Sequence, residues 1–149
     1  MDTVQFAIDD SSGITQVIIS VNETSLIDLA RAAEQPWTDR EGKPDLAGSY
    51  MGLAPWAIGG SATHFLENPR AVWFEDGDTV LLGCDCGERG CWPLVADITV
   101  THAQVAWSRF RQGHREWDLS TLGPFVFART EYEQALSKLD EDLRAYPAG

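Results

Sequence analysis

β-Branched residues crowd two short runs near the start of the chain, Val4–Asp9 and residues 14–21, with Asp10-Ser11-Ser12-Gly13 between them. Two such runs around a turn cluster predict a β-hairpin. The period then lengthens. Leu26, Ile27, Leu29, Ala30 and Ala33 fall on one side of a helix that Thr24 or Ser25 can cap. Asp28 sits three residues after Ser25, where a carboxylate suits the positive end of the helix. Pro36 is expected to end that helix, because proline lacks the N–H a helix interior needs.

From residue 37 to residue 69 the pattern weakens. Residues 39–45 form a polar loop, and residues 46–63 follow as the longest uncharged stretch. Gly48, Gly52, Pro55, Gly59 and Gly60 would break a membrane-spanning helix there, so a buried irregular segment is expected. Ser61 can cap a short helix reaching Leu66 before Asn68-Pro69 stops it.

The stretch from 71 to 110 reads as an antiparallel meander. Ala71-Val72-Trp73-Phe74 and Thr79-Val80-Leu81-Leu82 flank the turn Glu75-Asp76-Gly77-Asp78. Gly87-Glu88-Arg89-Gly90 separates Cys86 from Cys91, and Thr101-His102-Ala103-Gln104 separates Val100 from Val105. A four-residue second loop sets Val100 opposite Val105 and Ile98 opposite Trp107. Strand alternation then places Trp92, Leu94 and Ala96 on the same apolar face.

Phe125-Val126-Phe127 reads as one more strand, and Thr130 with Glu133 has the spacing of a capping box. Tyr132, Leu136, Leu139 and Leu143 form the apolar stripe of the helix that follows; Glu133, Lys138, Glu141 and Arg144 face water. The expected fold is α+β: an antiparallel sheet of five or six strands, from the N-terminal hairpin and the C-terminal meander, packed by two main helices. With 149 residues and no repeat or linker, residues 1–149 are read as a single globular domain.

Charge narrows the function classes. Lys and Arg number 11 against 23 Asp and Glu, a formal net charge of -12. Such a surface repels phosphate backbones and acidic lipid, so neither nucleic acid nor membrane is the expected partner. The N-terminus, Met1-Asp2-Thr3-Val4-Gln5-Phe6, shows no signal-peptide pattern, and three clustered cysteines do not form a secretory disulfide framework. The expected compartment is the cytoplasm.

The most specific local signal is the block Gly83-Cys84-Asp85-Cys86-Gly87-Glu88-Arg89-Gly90-Cys91-Trp92-Pro93-Leu94. A four-residue turn opposes Cys86 to Cys91 and projects Cys84 from the same side, so three sulfurs share a face. Three readings stay open. Cys84, Cys86 and Cys91 supply three of the four ligands a zinc tetrahedron needs, with His64, His114 or Asp85 as candidates for the fourth. A Cys86–Cys91 disulfide is geometrically reasonable. Free thiols packed beneath Val80, Leu82 and Val95 are the plainest reading.

The same block resembles one found in small bacterial proteins with no assigned activity. There a C-G-x-x-G-C turn precedes a V-x-W-x-x-F strand, here Cys86-Gly87-Glu88-Arg89-Gly90-Cys91 and Val105-Ala106-Trp107-Ser108-Arg109-Phe110. Trp117-Asp118 and Leu122-Gly123-Pro124-Phe125 extend the likeness, which covers about residues 80 to 128. It implies a shared fold and carries no activity or site residue with it.

Other candidates are weaker. His114-Arg115-Glu116-Trp117-Asp118, with Arg109 and Arg111 upstream, has the groups to grip a carboxylate or phosphate, or simply to pair in solvent. His64 beside the glycine-rich segment can line a pocket. Trp37, Trp56, Trp73 and Trp117 fall in or near loops, where aromatic rings serve as interface anchors or cover an open sheet. The sequence carries no convincing catalytic set. It is read first as a non-enzymatic interaction module, immunity- or inhibitor-like, that binds a basic protein. The alternatives are a structural zinc domain on the cysteines, and a small-molecule binder or enzyme using His64 or the 109–118 region.

Overall fold

A computed structural model describes residues 1–86 and 91–146. Two antiparallel sheets and two long helices build an α+β fold. The first sheet joins β1 (Val4–Asp9), β2 (Gln16–Val21) and the two-residue β3 (Thr24–Ser25). The hairpin pairs Val4 with Val21 and Asp9 with Gln16. Helix α1 (Leu26–Arg40) follows at once, with the Ser25 hydroxyl accepting from the Ile27 N–H at 3.2 Å.

Pro36 does not end α1. Its missing N–H would have met the Ala32 carbonyl, and both residues lie on the exposed face, where that carbonyl is open to solvent donors. The last turn is instead held from outside, by the Trp37 indole donating to the Asp118 carbonyl at 3.0 Å. The buried stripe also differs from expectation. Leu26 and Ala30 are buried as read, Ile27, Leu29 and Ala33 only half, and Glu34 and Thr38 continue the stripe as buried polar residues.

The second sheet runs β4 (Tyr50–Gly52), β5 (Asp78–Cys84), β6 (Leu94–Val100), β7 (Gln104–Gln112) and β8 (Phe125–Ala128), in that spatial order. Val100 pairs with Val105 and Ile98 with Trp107, as the register argument requires. The single apolar face does not continue to residue 91, however. The β6–β7 register shifts between Val95 and Asp97, where Arg109 adopts φ 52°. This bulge reverses the alternation: Val105 and Trp107 are buried before it, Phe110 and Gln112 after it. Arg109 and Arg111 therefore reach the same outer face. Trp92 is consequently not a companion of Trp107 but half-buried among Trp117, His114 and Arg115.

Two further expectations fail because individual hydrogen bonds override the pattern. Residues 71–74 form no strand: the Asp78 carboxylate accepts both the Trp73 and Phe74 N–H groups at 2.9 Å and wraps that segment into a loop. Thr130 caps nothing. Helix α2 (Arg129–Leu143) starts from Ala128, straight out of β8, and the Arg129 N–H is taken by the Ala103 carbonyl at 2.9 Å. Its apolar stripe is as read, with Tyr132, Leu136, Leu139 and Leu143 buried.

The glycine-rich segment is buried but not wholly irregular, because it contains β4. Gly52 is required there: a Cβ would stand 2.0 Å from the Val17 carbonyl oxygen, so only glycine lets β4 approach β2. The Val17 N–H to Leu53 carbonyl bond joins the two sheets at this point, and the Asp2 N–H to Val126 carbonyl bond joins them again at β8. Between them lies one contiguous core in which Phe6, Phe65, Trp107, Phe127 and Tyr132 meet edge to face or tilted.

Candidate metal centre

Ladder pairing between β5 and β6 stops at Leu82–Leu94, so Cys86 and Cys91 are not the opposed strand pair the sequence suggested. The turn at residues 87–90 lies outside the described residues. Cys84 ends β5, Cys86 sits in the turn after it and Cys91 precedes β6. Their three Sγ atoms nevertheless lie within 4.8 Å of one another. Any three points so close have a common centre within about 2.8 Å of each, about half an ångström beyond a zinc–thiolate bond.

The three thiols differ in setting. Cys84 is buried, and burial pushes its thiol up to about 12. It accepts from the Cys86 N–H at 3.5 Å and donates to Asp85 Oδ1 at 3.6 Å. Cys86 and Cys91 are exposed. The packed-thiol reading therefore fits Cys84 alone. No disulfide joins Cys84, Cys86 or Cys91 among the described residues. Among the described residues no histidine or carboxylate joins the group as a fourth ligand. No helix among the described residues is long and apolar enough to cross a membrane.

The two histidines proposed as ligands are placed elsewhere. His64 is buried in the core, with Nε2 donating to the Val80 carbonyl at 2.8 Å and Nδ1 accepting the Arg70 N–H at 2.9 Å. Those partners make it a tie between a 3-10 turn, Ala62–Phe65, and strand β5. His114 packs edge-on to Trp73 at 4.9 Å and stacks on Trp92 at 6.0 Å.

The 109–118 region is assembled, in two clusters. Arg115 lies 4.9 Å over the Trp92 ring and donates to Glu41 at 3.1 Å, while the Trp117 indole donates to the other Glu41 oxygen at 2.6 Å. Those two donors, Trp117 foremost, hold the Glu41 carboxyl below its usual range. Arg111 bridges Asp76 at 2.7 Å and Asp97 at 2.9 Å and lies 4.6 Å over Phe74; Arg109 reaches the same two carboxylates. Each guanidinium already has a carboxylate partner. Trp56 stands apart, 59% exposed beside a small cleft that Cys84 also lines.

Sequence reasoning missed a buried polar chain next to Cys84. Tyr50 pairs with Cys84 across the β4–β5 ladder, and its hydroxyl donates to Glu34, whose other oxygen accepts the Gly48 N–H at 2.9 Å. Burial raises the Glu34 carboxyl above its ordinary value, and burial with the neighbouring Glu34 charge raises the Tyr50 hydroxyl. The signal was present: Glu34 lies four residues past Ala30 and eight past Leu26, on the core stripe of α1. No protein-family model, curated protein or solved structure matches the chain.

Proposed function

We propose that the protein is a zinc-binding domain in which Cys84, Cys86 and Cys91 hold one ion as thiolates. The observation that carries this reading is the convergence of three sulfurs within 4.8 Å at a strand end where two of them face solvent. Thiolate ligands select soft or borderline ions, and zinc–thiolate sites occur at such turns. An ion there cross-links the end of β5 to the chain entering β6, which stabilises the fold through binding energy. Water or another exchangeable ligand takes the fourth position.

The test is metal content with a thiol count on protein purified without chelator or reductant. The expected result is roughly one zinc per chain, with the thiols reacting only after chelation or unfolding. Cys86→Ser should weaken zinc binding by at least about 100-fold. Absence of metal together with three rapidly titrating thiols overturns the proposal.

A second reading, a module binding a basic protein, is favoured by Trp56, the one strongly exposed indole on a chain of net charge -12. Aromatic anchors and complementary charge are what such interfaces use. Its test is capture of a basic partner that Trp56→Ala abolishes and salt weakens.

A further inference from the structure

Ile98 and Val100 lie on the core face of β6, opposite Trp107 and Val105, yet only their partners are fully buried. The cause is the staggered end of the sheet. Strand β5 begins at Asp78, opposite Asp97, so residues 98–100 run past the start of their neighbour. Among the described residues no strand pairs with them on that side, and a cleft of about 560 Å³ opens there. That volume is in the range of small-ligand sites.

The cleft has an apolar wall and an acidic rim. Leu66, Val72, Ile98 and Val100 line it together with Glu67 and Glu75, and no Lys, Arg or His is among its lining residues. Asp78 also lines it and is fully buried. Asp78 Oδ2 accepts the two loop N–H groups, whereas Oδ1 has no hydrogen-bond partner. Its ladder neighbour Asp97 is neutralised by Arg109 and Arg111, and among the described residues no cation pairs with Asp78. A buried carboxylate oxygen without a partner is costly unless something completes it.

We propose that this cleft is a binding site for an organic cation with an apolar chain, a primary alkylammonium, whose hydrocarbon lies on Ile98, Val100 and Leu66 and whose ammonium meets Glu75 and Asp78. An alkyl chain covers the half-open face of β6. The ammonium supplies three donors to carboxylates that, among the described residues, no protein cation satisfies. The site is independent of the cysteines.

The experiment follows backbone and methyl NMR shifts of the whole protein with n-hexylamine, hexan-1-ol and Nα-acetyl-lysine methylamide. Hexylamine should shift Leu66, Val72, Ile98 and Val100 with low-millimolar affinity, hexanol at least fivefold more weakly, and added salt should weaken the amine. Glu67→Gln/Glu75→Gln, surface changes that leave the core intact, should reduce amine affinity about fivefold. Asp78→Asn, which still offers an oxygen to both loop N–H groups, should do the same. Equal binding of hexanol, or no shift at these four residues, overturns the proposal. With the amine bound, shifts from the lysine derivative identify a lysine side chain as a competent source of the ammonium. Their absence confines the site to free amines.

Discussion

Two regions of this chain satisfy their backbones by different means. Within β6, β7, β8 and α2, ladder pairing and helical turns take up the main-chain N–H and C=O groups. From residue 44 to residue 78 the backbone has only three strand residues and short 3-10 turns before β5. There, side chains supply the partners, some from distant elements and some from a few residues away. Glu34 accepts from Gly48, Gln16 from Gly52 and Asp140 from Ala62, while His64 ties Val80 to Arg70 and Asp78 gathers Trp73 and Phe74. A buried irregular segment must find such partners, because unpaired peptide groups cost about 1–3 kcal/mol each. The regular region is held by apolar packing upon a ladder; the irregular one is held by single polar atoms.

The contrast can be broken by substitution. Trp107→Ala, in the regular region, should cost about 4 kcal/mol in urea unfolding, since it empties a fully buried indole site and removes a donor to Tyr132. Asp78→Ala should cost about 2–3 kcal/mol by stranding two N–H groups, with fast hydrogen exchange confined to Trp73 and Phe74. A cost as small as a surface change would show that the loop is held by something else.

Glu34→Gln sharpens the comparison through pH. A carboxyl with a raised value holds its proton more tightly folded than unfolded, so native stability falls as pH rises from the ordinary glutamate range through the raised value. The variant should lose that slope and gain stability relative to the wild type toward neutral pH, as read by unfolding midpoints from pH 4 to pH 8. The smallest effects separate two caps. Ser25→Ala should cost about 1 kcal/mol, because its hydroxyl accepts the Ile27 N–H, whereas Thr130→Ala should cost less than about 0.5 kcal/mol.

Periodicity alone determined the N-terminal hairpin, the existence of α1, the stripe of α2, the Val100–Val105 register and the α+β class, because each is set by side-chain spacing within a few residues. The cysteine spacing likewise announced a three-thiol cluster, although not the pairing of Cys86 with Cys91. What lay beyond periodicity depended on which partner each single backbone group or side chain found. Pro36 remains helical because the Ala32 carbonyl it leaves without a donor is on the exposed face, and residues 71–74 leave the sheet because one carboxylate outcompetes a ladder. Arg109 and Arg111 share the outer face rather than the core face of Trp107 only because a bulge reverses the alternation between them and Trp107. Local propensity is written in neighbouring residues, but the partner of a buried polar atom is fixed by where the rest of the chain has packed. Only the tertiary structure decides it.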